Sequence, residues 1–332
     1  MFALAITASL LLSLILYALM GGADFGGGMW DLLAAGPRAT RQRQLIAKSI
    51  APIWEANHVW LILAVVVLFT GFPTGFAAMM TALNIPITGM LIGIVVRGSA
   101  FIFRNYDSRS EAVQRHWSLA FGATSILTPF LQGMILGALA TGRIRVLNGL
   151  VTTGFFAGWL TLFALACGVL ALGLFAFLAA TYLTLDAKDQ PDLQNDFRLR
   201  AIWSGVVLVP VGGVVFLTAR QGAPEMFHGL TRWWAPLLFG ATGLCGLGAL
   251  GALWRRQFAA ARVAAAGQVT LILVGWSLAQ YPNLVTPDVT VANACAPDAT
   301  LRLLVLALAA GALVLLPSLI YLFRLFKGNR RH

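Results

Sequence analysis

Runs of twenty or so residues almost free of charge recur along this chain, and a run of that length is what one membrane crossing requires. A bilayer core offers no water to pair with backbone N–H and C=O groups, so each run must satisfy them within itself, as a helix. Nine such stretches can be placed, at 2–34, 50–72, 75–101, 117–140, 151–185, 199–218, 233–254, 261–281 and 301–325. The first and fifth are long enough to predict tilt or extension past the bilayer. Glycine and proline inside the runs do not argue against helices, since membrane spans tolerate both. Of 332 residues, 59% are apolar and 11% charged, less than half the roughly 25% charged content of soluble domains. A soluble enzyme, a disordered chain and a disulfide scaffold are thereby excluded. At about 20 residues per crossing, eight or nine helices use nearly all the apolar supply. The expectation is an all-α, polytopic integral membrane protein with about nine transmembrane helices and short loops.

The net charge of +11 has a topological reading. Lys and Arg mark cytoplasmic loops, and seventeen of the 23 basic residues fall on one side of a nine-span arrangement. Arg143, Arg145, Arg220, Arg232 and Arg302 fall on the other, and Arg97 sits inside the third span. This places the C-terminus in the cytoplasm and the N-terminus outside, and nucleic-acid binding is no longer suggested. The first run lacks a basic leader and an A-x-A-like site, so it reads as a retained helix. Cys167, Cys245 and Cys295 show no CxxC or metal-ligand spacing, and no metal site is expected. The outer loop 141–150 is the candidate hinge between halves.

An ionisable group inside a span costs several kcal/mol unless it is partnered, so the few intramembrane charges single themselves out. Glu55 and His58 share a face of the second span at i, i+3 spacing. They read either as a proton-relay carboxylate with an imidazole neighbour or as a first-turn acid satisfying the helix dipole. Asp24, in MGGADFGGGMWD, admits a functional and a structural reading equally. Asp31, nearer the loop, is expected to be solvated. Arg97 can pair with an acid, meet a lipid headgroup or snorkel, and snorkelling is the simplest expectation. Of the four histidines only His58 is placed to be a haem ligand. Trp30, Trp117, Trp203, Trp233 and Trp234 suit interfacial anchoring, while Trp54 and Trp60 flank Glu55.

Four blocks carry a resemblance to a known family: GGADFGGG; SIAPIWEANHVWL with the following LFTGFP; VVRGSAFIFR; and FLQGMILGAL. YPNLVTPDVTVANACAP before the last span also fits. Together they resemble subunit II of the cytochrome bd-type quinol oxidases, and look most like the cyanide-insensitive branch. The combination of P-x-W-[DE]-x-N-x-V-W with R-G-x-A-F-x-F-R is far more specific than either block alone.

The resemblance implies nine helices in two four-helix bundles plus a peripheral helix, here 1–140, 151–281 and 301–325 of a single membrane domain. It implies a partner subunit I holding two haems b, one haem d and the quinol-oxidising site. That complex would reduce dioxygen to water with electrons from ubiquinol, in a bacterial inner membrane. Its protons would come from the cytoplasm, so a proton-motive force would build without pumping. Small single-helix accessory subunits, lipid and a structural quinone are compatible companions. Carried over by residue, Glu55 falls on the family's Asp/Glu position, linked to a proton path at the subunit interface. Trp54, Asn57 and Trp60 fall on the same motif's other positions, and Arg97 and Arg104 on the third-span arginines. Asp24 matches the second acid of a D-G-F-D pattern whose first acid is Gly21 here, which puts a role needing both in doubt. Glu55, with Asp24 or His58, is the expected proton pathway. A secondary transporter and a purely structural assembly subunit are the competing classes; transporters place their charges near the midplane, whereas these cluster toward the cytoplasmic ends.

Overall fold

The computed structural model describes residues 2–106 and 111–328, less the side chains at 52–55, 105, 106, 111, 112, 316, 320 and 322–328. Its helices are α1 (Phe2–Leu32), α2 (Ala39–Gly71), α3 (Pro73–Ala82), α4 (Asn84–Tyr106), α5 (Glu111–Ala140), α6 (Leu162–Asp186), α7 (Pro191–Gly222), α8 (Pro224–Leu230), α9 (Ala235–Trp254), α10 (Phe258–Gln280), α11 (Val291–Ala294) and α12 (Asp298–Gly328). Two small antiparallel hairpins complete it, β1–β2 (Val146–Leu147, Leu150–Val151) and β3–β4 (Asn283–Val285, Val289–Thr290). Among the described residues, eight helices are long and apolar enough to cross a membrane. The count becomes nine when the two arms of α2, Ala39–Ala51 and Ala56–Gly71, inclined at 49°, are taken as one bent crossing.

Two predicted boundaries move. The fifth run does not begin as a helix at 151, because residues 152–161 form turns and α6 starts at Leu162. Thr161 caps that start, its hydroxyl accepting from the Ala164 N–H at 3.1 Å. Phe155, Phe156 and Leu160 make this stretch apolar without making it helical. Ahead of it, Asn148 and Gly149 both adopt positive φ, the pair that a two-residue hairpin turn demands. The third predicted run splits into α3, with Pro73 in its first turn, and the longer α4. Pro73 fits there because the first helical N–H has no intrahelical partner to lose.

α1 lies at the centre, packed along α2, α5 and α6, with α10 and α12 touching it less extensively. α4 packs on α5, α7 and α10 pack on α6, and α9 packs on α10 and more lightly on α7. The glycines of GGADFGGG set the closeness of this packing. A Cβ on Gly26 would stand 2.0 Å from the Phe175 carbonyl oxygen of α6, and one on Gly28 2.0 Å from Ser125 Oγ of α5. Small residues are what let membrane helices approach backbone to backbone. Trp30 then spans the α1–α6 contact, its Nε1–H donating to the Ala176 carbonyl at 2.8 Å.

At the end of the molecule opposite the basic loops, the two hairpins are tied together. Arg145 holds Asp288 through paired contacts of 2.8 and 3.0 Å, and the Val146 N–H donates to the same carboxylate at 2.8 Å. Beneath them the Leu139 carbonyl accepts from the Thr286 N–H and from Gln280 Nε2. The Arg145 guanidinium holds the Asp288 carboxyl below the usual carboxylate range. A depressed pKa contributes stability that is present above the unfolded value of about 4 and is lost as pH falls through the folded value. Amide hydrogen exchange should therefore show the 145–151 and 283–290 hairpins well protected at neutral pH and loosening together in acid. Asp288→Asn should give neutral-pH exchange close to that of the acidified parent, with little further change on acidification.

Candidate functional site

On α1, Tyr17, Asp24 and Asp31 recur every seven residues, nearly two turns, so they line one stripe about 10 Å apart. Each meets a polar partner from a neighbouring helix. Tyr17 receives a hydrogen bond from Gln132 Nε2 of α5. Asp24 and Asp31 meet Arg97 and Arg104 of α4. Both pairs are separated by 73 residues in sequence, so α1 and α4 run parallel and the two ion pairs form successive rungs between them.

The inner rung is completely desolvated, with Asp24 0% and Arg97 1% exposed. Arg97 donates from one terminal nitrogen to Asp24 Oδ2 at 2.9 Å, and from the other to Oδ1 at 2.7 Å and to the Asp24 carbonyl at 2.9 Å. Its Nε–H donates to Ser125 Oγ at 2.9 Å, and the Ser125 hydroxyl in turn donates to the Phe121 carbonyl at 2.6 Å. Asn57 Nδ2 of α2 reaches Asp24 Oδ2 at 3.3 Å. Four helices thus converge on one charge pair. Phe25 and Phe121 each present a ring face 4.7 Å from the Arg97 guanidinium carbon, a favourable placement for a desolvated cation.

In the outer rung, Arg104 donates to Asp31 Oδ2 at 2.7 Å. Its guanidinium carbon lies 4.9 Å from the same Phe121 ring, so that ring serves both arginines. The expectation that Asp31 is solvated is wrong: it is 1% exposed. The expectation that Arg97 snorkels is wrong as well. Eight residues, about 12 Å of helix, separate Asp24 from the end of α1, and pairing across the bundle satisfies the guanidinium where it stands.

The structure therefore brings Asp24, Asn57 and Arg97 together and sets Arg104 in the adjoining rung. Trp60 is buried one turn beyond Asn57, its indole N–H donating to Met20 Sδ at 3.2 Å. His58 is half-buried on the neighbouring face of α2. Glu55 and Trp54 lie outside the described side chains. Asn57 Oδ1 is buried with no hydrogen-bond partner among the described residues. A Cβ on Gly21 would stand 3.1 Å from that oxygen, so the residue in place of the family's first acid is the one that leaves room for Asn57. Sequence reasoning missed Tyr17, Gln132, Ser125 and the pairing of Asp31. The seven-residue spacings 17–24–31 and 97–104 were the available signal. No group of three His, Cys, Asp or Glu side chains that could hold a metal exists among the described residues.

The family model described as cytochrome bd terminal oxidase subunit II matches residues 2–326. This chain belongs to that family. It is 22% identical to a putative cytochrome bd menaquinol oxidase subunit II of Bacillus subtilis (strain 168), over 96% of this chain and 93% of that protein. It is 30% identical to the cytochrome bd-I ubiquinol oxidase subunit 2 of Escherichia coli (strain K12), over 52% of this chain and 45% of that one. The fold matches a chain of the bd oxidase from Geobacillus thermodenitrificans with a TM-score of 0.78, at 22% identity, covering 99% of this chain and all of that one. Membership makes the chain a multi-pass membrane subunit of a terminal oxidase, an oxidoreductase complex of the haem- and quinol-using kind.

Removing one partner of a buried ion pair strands the other charge and costs about 3–5 kcal/mol. Arg97→Gln should accordingly lower the unfolding temperature of the assembled complex sharply. Adding Asp24→Asn to it should recover much of the loss, because the pair is then removed together. A double-mutant cycle read by thermal unfolding measures this, and simple additivity of the two losses would show that the charges are not coupled.

Proposed function

We propose that this chain is the non-haem subunit of a bd-type complex that oxidises quinol and reduces dioxygen to water, and that it supplies part of a proton route from the basic, cytoplasmic face. The two haems b and the haem d belong to the partner subunit I, with which this chain pairs. The first and second groups of four crossings, 1–140 and 151–281, form two bundles with 301–325 peripheral to them. The N-terminus lies outside, and potential builds by proton uptake rather than pumping. The quinol is expected to be ubiquinol, although relatives of this chain carry names with either menaquinol or ubiquinol.

One observation carries the proton-route reading: a fully desolvated, arginine-held carboxylate is joined by Asn57 to the helix that bears Glu55. Both Asp24 oxygens are already taken by Arg97. The exchangeable proton is carried by Glu55, assisted by Asp24 or His58. Asn57, with a donor on Asp24 and a buried acceptor to spare, couples the ion pair to α2. A relay needs titratable groups linked by short hydrogen bonds or water, and Glu55 and His58 supply two, three residues apart in sequence.

Glu55→Gln in the assembled complex should cut quinol-driven oxygen consumption by about a hundredfold or more, the usual range for losing one acid–base group, with the haem absorbance unchanged. Unchanged turnover and proton uptake would overturn the relay. Loss of haem absorbance would assign Glu55 to assembly instead.

A further inference from the structure

Where the loop after α1 meets the start of α7, the basic face carries an open dent of about 320 Å³, lined by Ala35, Pro37, Arg38, Gln42, Asp196, Leu199 and Arg200. Its charges are unevenly matched. Asp196 is consumed by Arg38 through contacts of 2.6 and 2.8 Å, and its Oδ2 also accepts from Gln42 Nε2 at 2.8 Å. Arg200 receives no carboxylate among the described residues. Its NH2 donates to Gln42 Oε1 at 2.8 Å, and its NH1 is buried without a partner among the described residues. The guanidinium is held in place by ring faces, with Trp30 at 5.2 Å and Phe197 at 5.3 Å. The lining residues thus sum to one uncompensated positive charge.

The apolar surface beside the dent runs in one direction. Leu199, Trp203, Val206 and Val207 are spaced at i, i+4, i+7 and i+8 along α7, so they form a strip leading away from Arg200 into the membrane-crossing part of the helix. All four are exposed, Leu199 at 46% and Trp203 at 68%. An exposed Trp one turn from an Arg marks the headgroup level of a bilayer. A cationic recess at that level, opening onto an apolar strip, matches one kind of molecule. It pairs a phosphate with hydrocarbon chains.

We infer that this dent binds the phosphate of an anionic phospholipid beside the Arg200 guanidinium, with an acyl chain lying along Leu199, Trp203 and Val206. Basic recesses between membrane helices favour anionic headgroups in this way. Arg38 contributes field rather than a contact, since Asp196 occupies its fork. The site is separate from the proton route and does not depend on it.

The test uses the intact complex in lipid nanodiscs and in detergent. Phosphatidylglycerol should co-purify with the complex and raise its unfolding temperature more than phosphatidylcholine does. Arg200→Gln should weaken phosphatidylglycerol binding by about tenfold or more, the loss of one charge-assisted contact. Leu199→Glu adds a repelling charge at an exposed position that the fold does not use, and should give the same loss with normal assembly. Equal stabilisation by phosphatidylcholine, or retention of phosphatidylglycerol by the Leu199→Glu complex, overturns the inference. Millimolar inorganic phosphate reproducing the whole effect also overturns it, by showing that the hydrocarbon is not recognised.

Discussion

A carboxylate and a guanidinium placed together in the interior of a membrane bundle constrain everything around them. Alone, either Asp24 or Arg97 would cost several kcal/mol at that depth. Together they are tolerable only if the geometry is good and the remaining donors and acceptors are used. Arg97 meets that condition with two contacts to the carboxylate, one to the Asp24 carbonyl, one to Ser125 and two aromatic faces. The same contacts draw α1, α4 and α5 to one point, and the Asn57 bond to Asp24 adds α2. A shift of α4 by a single residue along α1 would break both rungs, because Arg104 and Asp31 depend on the same register. The pair is weak evidence for stability as such, since buried pairs are often no better than apolar packing. Its structural consequence is specificity of register.

The pair is desolvated because the backbone of α1 comes so close to its neighbours. Gly26 admits the α6 backbone and Gly28 admits Ser125, the residue that takes the Arg97 Nε–H. Larger residues at either position would push a helix away and open the charge pair to lipid or water. The glycine-rich block around Asp24 and the arginine of the third crossing are thus two halves of one device. One supplies proximity and the other supplies the charge that proximity makes expensive to leave unpaired.

Much of this was legible from residue order alone. Long uncharged runs fixed the class, and the scarcity of charge made Asp24, Glu55 and Arg97 visible. What failed had a common cause: hydropathy reports which atoms avoid water and says little about which neighbour they meet. Residues 152–161 are apolar yet form turns, since Phe155, Phe156 and Leu160 cover an outer loop rather than a helix face. Asn148-Gly149 announced the hairpin ahead of them. Asp31 and Arg97 were given to solvent because each was judged alone. Only the matching intervals, 24 to 31 on one helix and 97 to 104 on another, connect them, and such a match means something only once the two helices are known to be parallel neighbours.

The arrangement divides the acids of this chain by what arginine does to them. Asp24, Asp31, Asp196 and Asp288 are each held by an arginine at 2.6–2.8 Å. An acid so held serves register at the ladder and joins loops at either face. Glu55 falls on α2 between the arms Ala39–Ala51 and Ala56–Gly71, inclined at 49°. Asn57, two residues after Glu55 and bonded to Asp24, links the bend of α2 to the anchored pair.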